Sequence, residues 1–298
     1  MEAPVADPAP NAPDAIEDAE PYGYEKYALL GIAIVISVTH VTVPPWGVVL
    51  TVIGSLLVLV LSGDKRQRWG YVAIGVVLLY SIVMLYTLVG NHLFLLAYMV
   101  WALALQNDDH EALAPTFRGV LVAVMLIAAT QKIINPYFIS GDALAWYIAS
   151  GESYGNLIAA FDPAWADQTA RVFADARAAM TPTDGSTPTS VPPGAFMGAM
   201  VALSWFVFAF EIFVALSWLK LPGKLAAIRA YAPHITFAFV WGTYTMRNEP
   251  YFFALVTLLA VFGIPRDRER GRLWWFGMGT LAFMLVVGFF GFRPPFLQ

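Results

Sequence analysis

Lys132 poses the sharpest chemical question in the chain. It stands in Leu126-Ile-Ala-Ala-Thr-Gln-Lys-Ile-Ile-Asn-Pro-Tyr-Phe138, a stretch otherwise apolar enough to cross a bilayer. An ionised side chain at membrane depth costs roughly 2.5–3.5 kcal/mol on insertion scales. A counter-charge, a water-filled cavity, a neutral amine or a shift to the interface must offset that cost. A desolvated amine can serve as base or nucleophile. The alternatives are a structural ion pair with Glu211 or Glu249, or a head group that extends to the interface from near the helix end.

Other polar groups fall inside or beside apolar runs. His92 follows Gly90-Asn91 at the start of one run, where its imidazole can cap a helix or donate within a cavity. His40 closes an earlier run just before Pro44-Pro45-Trp46-Gly47, the place of an interfacial residue. Glu211 lies in Trp205-Phe-Val-Phe-Ala-Phe-Glu-Ile-Phe213, so it either meets a Lys or His across the bundle or is protonated. Arg247 and Glu249 break a run near 247–249, and His234 opens the run before them. The aromatic-rich segments 205–213 and 237–253 could line a quinone or lipid pocket, or could simply pack and face lipid.

Several chemistries lack their residues. There is no cysteine, hence no thiolate chemistry and no zinc–thiolate site. No Gly-rich phosphate loop, His-Glu-x-x-His or Gly-x-Ser-x-Gly occurs. Four scattered histidines make no metal site, and no basic surface pattern points to nucleic acid.

The elements that must position these groups are membrane helices. Hydrophobic residues make up 59% of the chain and charged ones 13%, about half the charged share of an ordinary soluble domain. Apolar runs at 27–43, 48–62, 71–89, 93–106, 119–138, 196–219, 234–246, 250–264 and 273–292 predict an all-α polytopic helical bundle of about nine spans. Residues 1–25 form an acidic, Pro-rich tail, expected to be disordered or bound to a partner, and no cleavable signal peptide is expected there. Residues 26–298 form one membrane domain with an external loop at 139–195, which opens on an amphipathic stretch suited to an interfacial helix.

Charge sets the expected orientation. Segments 63–70, 107–118, 220–231 and 266–272 carry three, one, three and four Lys/Arg, and all four fall on one side of a nine-span path. The positive-inside rule then puts the N-terminus in the cytoplasm and the C-terminus outside, in a membrane expected to be the bacterial inner membrane. On that path Lys132, His40, His92, Arg247 and Glu249 approach the external face at similar depth. Glu211 and His234 count out as deeper, toward the cytoplasm.

Three segments in order carry a family resemblance. Asn91-His92-Leu-Phe-Leu resembles the Asn-His-x-Tyr-Leu segment of vitamin K-dependent γ-glutamyl carboxylases and of the wider horizontally transferred transmembrane domain family. Thr130-Gln-Lys132-Ile-Ile-Asn-Pro-Tyr-Phe-Ile-Ser-Gly141 resembles that family's Ala-Gly-x-x-Lys-Leu-x-x-x-Trp-x-x-Gly segment. Glu211 before a basic connector, then His234 opening the next run, resembles its later Glu-then-His order.

The resemblance implies Lys132 as the base acting on a hydroquinone and His92 as an assisting catalytic group. Glu211, His234 and Glu249 would then bind the cofactor, a quinol of the vitamin K hydroquinone type. The expected function is a quinol-using oxygenase or carboxylase-like membrane enzyme. Another class is a non-catalytic accessory subunit of a larger membrane complex, touching its neighbours through residues 1–25 and 139–195. A transporter with Lys132 and Glu211 on its path is the third, disfavoured by the absence of inverted repeats.

Overall fold

A computed structural model describes residues 23–39, 43–84, 91–106, 110–149, 194–244, 249–264 and 271–290, with isolated positions between 163 and 171. All regular structure among these residues is helical. The order is α1 (Gly23–Thr39), α2 (Pro45–Val60), a 3-10 turn (Lys65–Gln67), α3 (Arg68–Met84), α4 (Asn91–Gln106) and α5 (His110–Ile134). Two short helices follow, α6 (Pro136–Ile139) and α7 (Asp142–Ala149). Next come α8 (Gly194–Trp218), a 3-10 stretch (Gly223–Tyr231), α9 (Ala232–Tyr244), α10 (Pro250–Gly263) and α11 (Gly271–Phe290). Each apolar run of the sequence thus falls largely in a helix. The expected interfacial helix after Gly141 is α7. His40, Arg247, most of the acidic tail and most of the 139–195 loop lie outside the described residues.

Three helices, Lys65–Met84, Ala112–Ile134 and Phe196–Trp218, are long and apolar enough to cross a membrane. Pro45–Val60, His92–Gln106 and Pro250–Gly263 are apolar but shorter. Their outer faces carry the exposed apolar side chains that lipid would solvate. On α2 alone Val49, Leu50, Ile53, Leu56, Leu57 and Val60 are exposed.

The bundle is built around α10. Every residue from Phe253 to Gly263 is buried, as expected of a helix apolar on all sides. It packs against α1, α4, α5, α9 and α11, while α2 and α3 pair with each other and add Val58, Tyr71, Ile74 and Leu78 to the same core. Pro250 at the first helical position needs no hydrogen-bond partner for its missing N–H, so α10 starts cleanly after Glu249.

Side-chain hydrogen bonds join helix ends and show α1 running antiparallel to α2 and α10, and α5 antiparallel to α10. Lys26 Nζ donates to Ser62 Oγ at 2.8 Å, tying the start of α1 to the end of α2. Trp274 Nε1 donates to Glu25 Oε1 at 2.7 Å, and Arg118 Nε to the Gly263 carbonyl at 3.1 Å. The opposite end holds the Thr39 and Tyr251 hydroxyls, 3.0 Å apart, which join α1 to α10.

Glycine allows the closest helix approach. A Cβ on Gly54 of α2 would stand 2.7 Å from the Gly70 carbonyl oxygen of α3 and 2.9 Å from Ile74. Small residues take this role in membranes because apolar side chains gain nothing from lipid by association, whereas backbones in contact gain packing. Gly54→Leu should destabilise the protein by about 1–3 kcal/mol through overpacking. Gly31→Ala, where a Cβ meets nothing within 4 Å, should be neutral or stabilising. Thermal unfolding in detergent reads both; equal responses would refute close α2–α3 packing.

Candidate functional site

Local sequence explains how Lys132 is presented. The α5 helix stops at Ile134 because the residue before Pro136 disfavours helical geometry, and Asn135 is extended with φ −91° and ψ 101°. The Asn135 side chain accepts from the Tyr137 N–H at 3.2 Å and starts α6. The chain turns again at Gly141, whose φ of +83° suits glycine. A Cβ there would also lie 2.7 Å from the Val201 backbone nitrogen, so α7 rests directly on α8. A small satellite core of Leu144, Ala145, Phe196 and Met200 holds this α7–α8 contact, with Phe138 of α6 packed against it. The last turn of α5 is therefore roofed.

Under this roof Lys132 Nζ donates to Glu211 Oε1 at 2.5 Å, an ion pair between α5 and α8. The side chains are 16% and 5% exposed, so the pair is largely removed from solvent. The amine also lies 4.8 Å from the centroid of the Phe138 ring, a cation–π contact. Counting residues along each helix puts Glu211 deeper than Lys132, yet they meet. A helical side chain leans toward its own N-terminus. On antiparallel helices Lys132 leans inward and Glu211 outward, and the two close the gap in depth.

The pair lines a cavity of about 240 Å³. Gln131, Asn135, Thr243 and Glu249 add polar atoms to it, and Met125, Val207, Phe239, Phe252 and Phe253 add apolar walls. Six helices, α5 to α10, contribute to that lining. Glu249 is the cap residue of α10; its side chain makes no capping bond, and the residue belongs to the cavity lining. Thr243 Oγ1 donates back to the Phe239 carbonyl one turn earlier.

The structure brings three expected site residues together: Lys132, Glu211 and Glu249. It does not bring His92 into the lining. That ring lies 6.1 Å from the Tyr251 ring, one residue before cavity-lining Phe252. His234 is exposed at the other end of α9, beside Tyr231. Nine residues separate it from Thr243, a rise of about 13 Å. Sequence reasoning passed over Gln131, Asn135 and Thr243. Gln131 and Asn135 are four residues apart, as two residues on one face of α5 should be. Among the described residues no group of three His, Asp or Glu side chains is placed to hold a metal ion.

Comparison with protein-family models, curated proteins and solved structures finds no match.

Chemically, the cavity offers an ammonium–carboxylate pair, a second carboxylate and neutral donors and acceptors against aromatic walls. That set suits a flat ligand with hydroxyl or carbonyl groups at its edge. An engineered cavity of about 150 Å³ holds benzene, so 240 Å³ admits a substituted ring.

The pair also makes a stability prediction. Removing one member leaves a buried charge, at a cost of about 3–5 kcal/mol, while replacing both by apolar residues can be neutral. In a double-mutant cycle Lys132→Met and Glu211→Leu should each lower the unfolding midpoint. The double variant should lose less stability than the two single losses summed, with a coupling of about 1–3 kcal/mol. Strict additivity would show that the pair contributes nothing.

Proposed function

We propose that the protein is a membrane-embedded enzyme of the carboxylase-like kind, using a quinol-type ligand with Lys132 as the base. The observation that carries this reading is the Lys132–Glu211 pair lining an open, aromatic-walled cavity instead of sitting in a closed bundle. The resemblance of the Asn91-His92, Lys132–Gly141 and Glu211–His234 segments to the carboxylase-like family supports the same reading.

The residues fit such a ligand. Gln131, Asn135 and Thr243 provide polar atoms for ring oxygens, and Phe239, Phe252 and Phe253 provide faces for a ring. A bound quinol supplies a hydroxyl proton and two electrons that oxygen can accept. Lys132 is the base that takes the proton, once its own proton has moved to the Glu211 carboxylate with which it already shares a hydrogen bond. The pair as a unit takes up one proton and gains one positive charge, which offsets the negative charge the quinol would acquire. Glu249 adds negative charge at the cavity wall, where the N-terminus of α10 stabilises it. His92 has no direct role in this scheme; behind Tyr251 it is a positioning residue.

The same proposal includes a nine-span topology in the bacterial inner membrane, with the N-terminus cytoplasmic and the C-terminus outside. The antiparallel helix ends and the basic residues Lys65, Arg66, Lys220, Lys224 and Arg272, all at the end away from the cavity, support it. The chain has no cysteine, so single-cysteine variants test it cleanly. A thiol reagent that cannot cross membranes should label Ser140→Cys, and not Arg66→Cys, in intact cells. The reverse pattern would overturn the orientation.

Activity is testable with purified protein in mild detergent. Added quinol should drive oxygen uptake, and Lys132→Ala should lower the rate by about 10²–10⁴-fold, the usual contribution of a positioned base. Gly31→Ala serves as a folded control. No quinol-dependent uptake, or an undiminished rate in Lys132→Ala, sinks the enzymatic reading. Stoichiometric co-purifying chains without any quinone would favour the accessory-subunit role.

A further inference from the structure

The chain leaves α8 through Leu219-Lys220-Leu221-Pro222 and turns at Gly223, whose φ is +62°. Nine residues of 3-10 helix follow, Gly223–Tyr231, and none of them is buried. A 3-10 run beyond three or four residues is uncommon, because its hydrogen bonds are poorer than those of an α-helix. The protein core does not offset that cost here, so support must come from what surrounds the segment. At three residues per turn, side chains at i and i+3 eclipse. Leu225, Ile228 and Tyr231 therefore share one stripe, about 12 Å long at 2.0 Å per residue. Leu225 is 53% exposed and Tyr231 62%, so the stripe turns away from the bundle. His234 extends it into α9, its exposed ring 6.3 Å from that of Tyr231.

Positive charge surrounds the stripe. Lys220, Lys224 and Arg229 lie in and just before the segment, and no Asp or Glu occurs between Glu211 and Glu249. Lys220 and Lys224 are exposed, and among the described residues none of the three cations pairs with a carboxylate. The same end of the bundle exposes Tyr24, Trp69 and Trp275, with the Arg68 guanidinium 5.3 Å from the centroid of the Trp69 ring. Exposed Trp and Tyr of this kind gather at the headgroup level of a bilayer. Apolar continuity points the same way. Phe213, Leu216 and Leu219 are exposed toward the end of α8 and lead from the segment onto the outer face of the bundle.

We propose that residues 219–231 form an anionic-phospholipid site. The Leu225, Ile228 and Tyr231 stripe lies at the boundary of headgroups and acyl chains. Lys220, Lys224 and Arg229 hold lipid phosphates, with the ring N–H of His234 as a further donor. A basic amphipathic helix lies in the interface in this way, through apolar burial and attraction to anionic lipid together. Each Lys or Arg near an anionic leaflet strengthens that attraction roughly 5-fold, so three of them set a preference over zwitterionic lipid. The acidic tail, with six Asp and Glu in residues 1–20, answers the charge but not the apolar stripe. A phospholipid supplies an anion and hydrocarbon at adjacent depths. The site rests on the membrane reading alone, and on neither the quinol chemistry nor the orientation.

Fluorescence quenching in nanodiscs tests it. The chain has no cysteine, so a fluorophore can be attached at Ala227→Cys on the exposed connector, and in a second protein at Val49→Cys on the exposed face of α2 at the opposite end. Each full-length protein goes into nanodiscs of phosphatidylcholine and phosphatidylglycerol, with a shallow spin label on one lipid or on the other. At equal mole fraction, labelled phosphatidylglycerol should quench Ala227→Cys about 5-fold more than labelled phosphatidylcholine, and the two should quench Val49→Cys equally. Adding Lys220→Gln, Lys224→Gln and Arg229→Gln should bring the ratio at Ala227→Cys close to one. If that variant does not fold, salt at about 1 M, where the screening length is about 3 Å, should lower the ratio in its place. Equal quenching at Ala227→Cys by the two lipids overturns the site, as does a preference that neither the three substitutions nor salt reduces. A preference that emerges only after deletion of residues 1–22 assigns the surface to the acidic tail and overturns it too. Quenching at neither position overturns the membrane reading together with the site, whereas quenching at Val49→Cys without preference at Ala227→Cys overturns the site alone.

Discussion

The structure turns on one ion pair held where solvent cannot hold it. Lys132 and Glu211 are each poorly exposed, and either alone would be an uncompensated charge among apolar side chains. Their contact therefore constrains α5 against α8 in both height and rotation. The rest of that end follows. Pro136 stops α5 within one turn of the lysine, and Asn135 and Gly141 fold the chain back over it. The α7–α8 contact then fixes Phe138 above the amine. Helix α10 completes the wall with Phe252 and Phe253 and brings Glu249 to the rim.

The two ends of the bundle differ for a physical reason. At the end away from the cavity, Trp218 lies against Gly263 and its indole N–H donates to Thr236, while Arg118 caps the Gly263 carbonyl. Large side chains and satisfied donors leave no room there. At the other end Lys132, Glu211 and Glu249 bring polar residues into the cavity lining. The cavity lies at that end, and the apolar interior of α10 separates it from the far side. A continuous polar path across the bundle, which transport would need, would have to pass a helix buried from Phe253 to Gly263 whose polar side chain there is Thr257.

How much of this was legible in the sequence varies by kind. Helix positions were, because apolar runs of this length have few alternatives. The problem posed by Lys132 was also legible, since its cost is a matter of residue type and surroundings. The answer, a pair with Glu211, stood as one of two carboxylate partners. Height counting placed Glu211 too deep because it ignored the inclination of side chains toward the helix N-terminus. His92 shows a different limit. Residue counting gives its height near Lys132, but not its position around the bundle. In a soluble protein an amphipathic stripe would report that angle. Lipid accepts apolar residues on the outer face, so the stripe is erased and the angle is set by packing alone.

That limit also explains why a groove between α4 and α5, which shares Gln131 and Phe252 with the cavity, could not be read from the chain. Gly119 and Ala123 are unremarkable in an apolar helix, and nothing in their types distinguishes a packed contact from an open wall. Gly54 and Gly119 illustrate the point: both are helical glycines in apolar runs. One lies against the backbone of α3, and the other faces empty space beside Phe94 and Tyr98. Small residues in membrane helices permit close approach but do not compel it. What decides is whether the facing helix can come in. The α4 helix is held to α3 through Trp101, which lies over Gly75. Phe94 and Tyr98, on the same i, i+4, i+7 stripe as Trp101, line the gap toward α5 without filling it. A vacancy lined by aromatic rings and backbone is unstable unless something apolar fills it, because its walls forfeit their dispersion contacts.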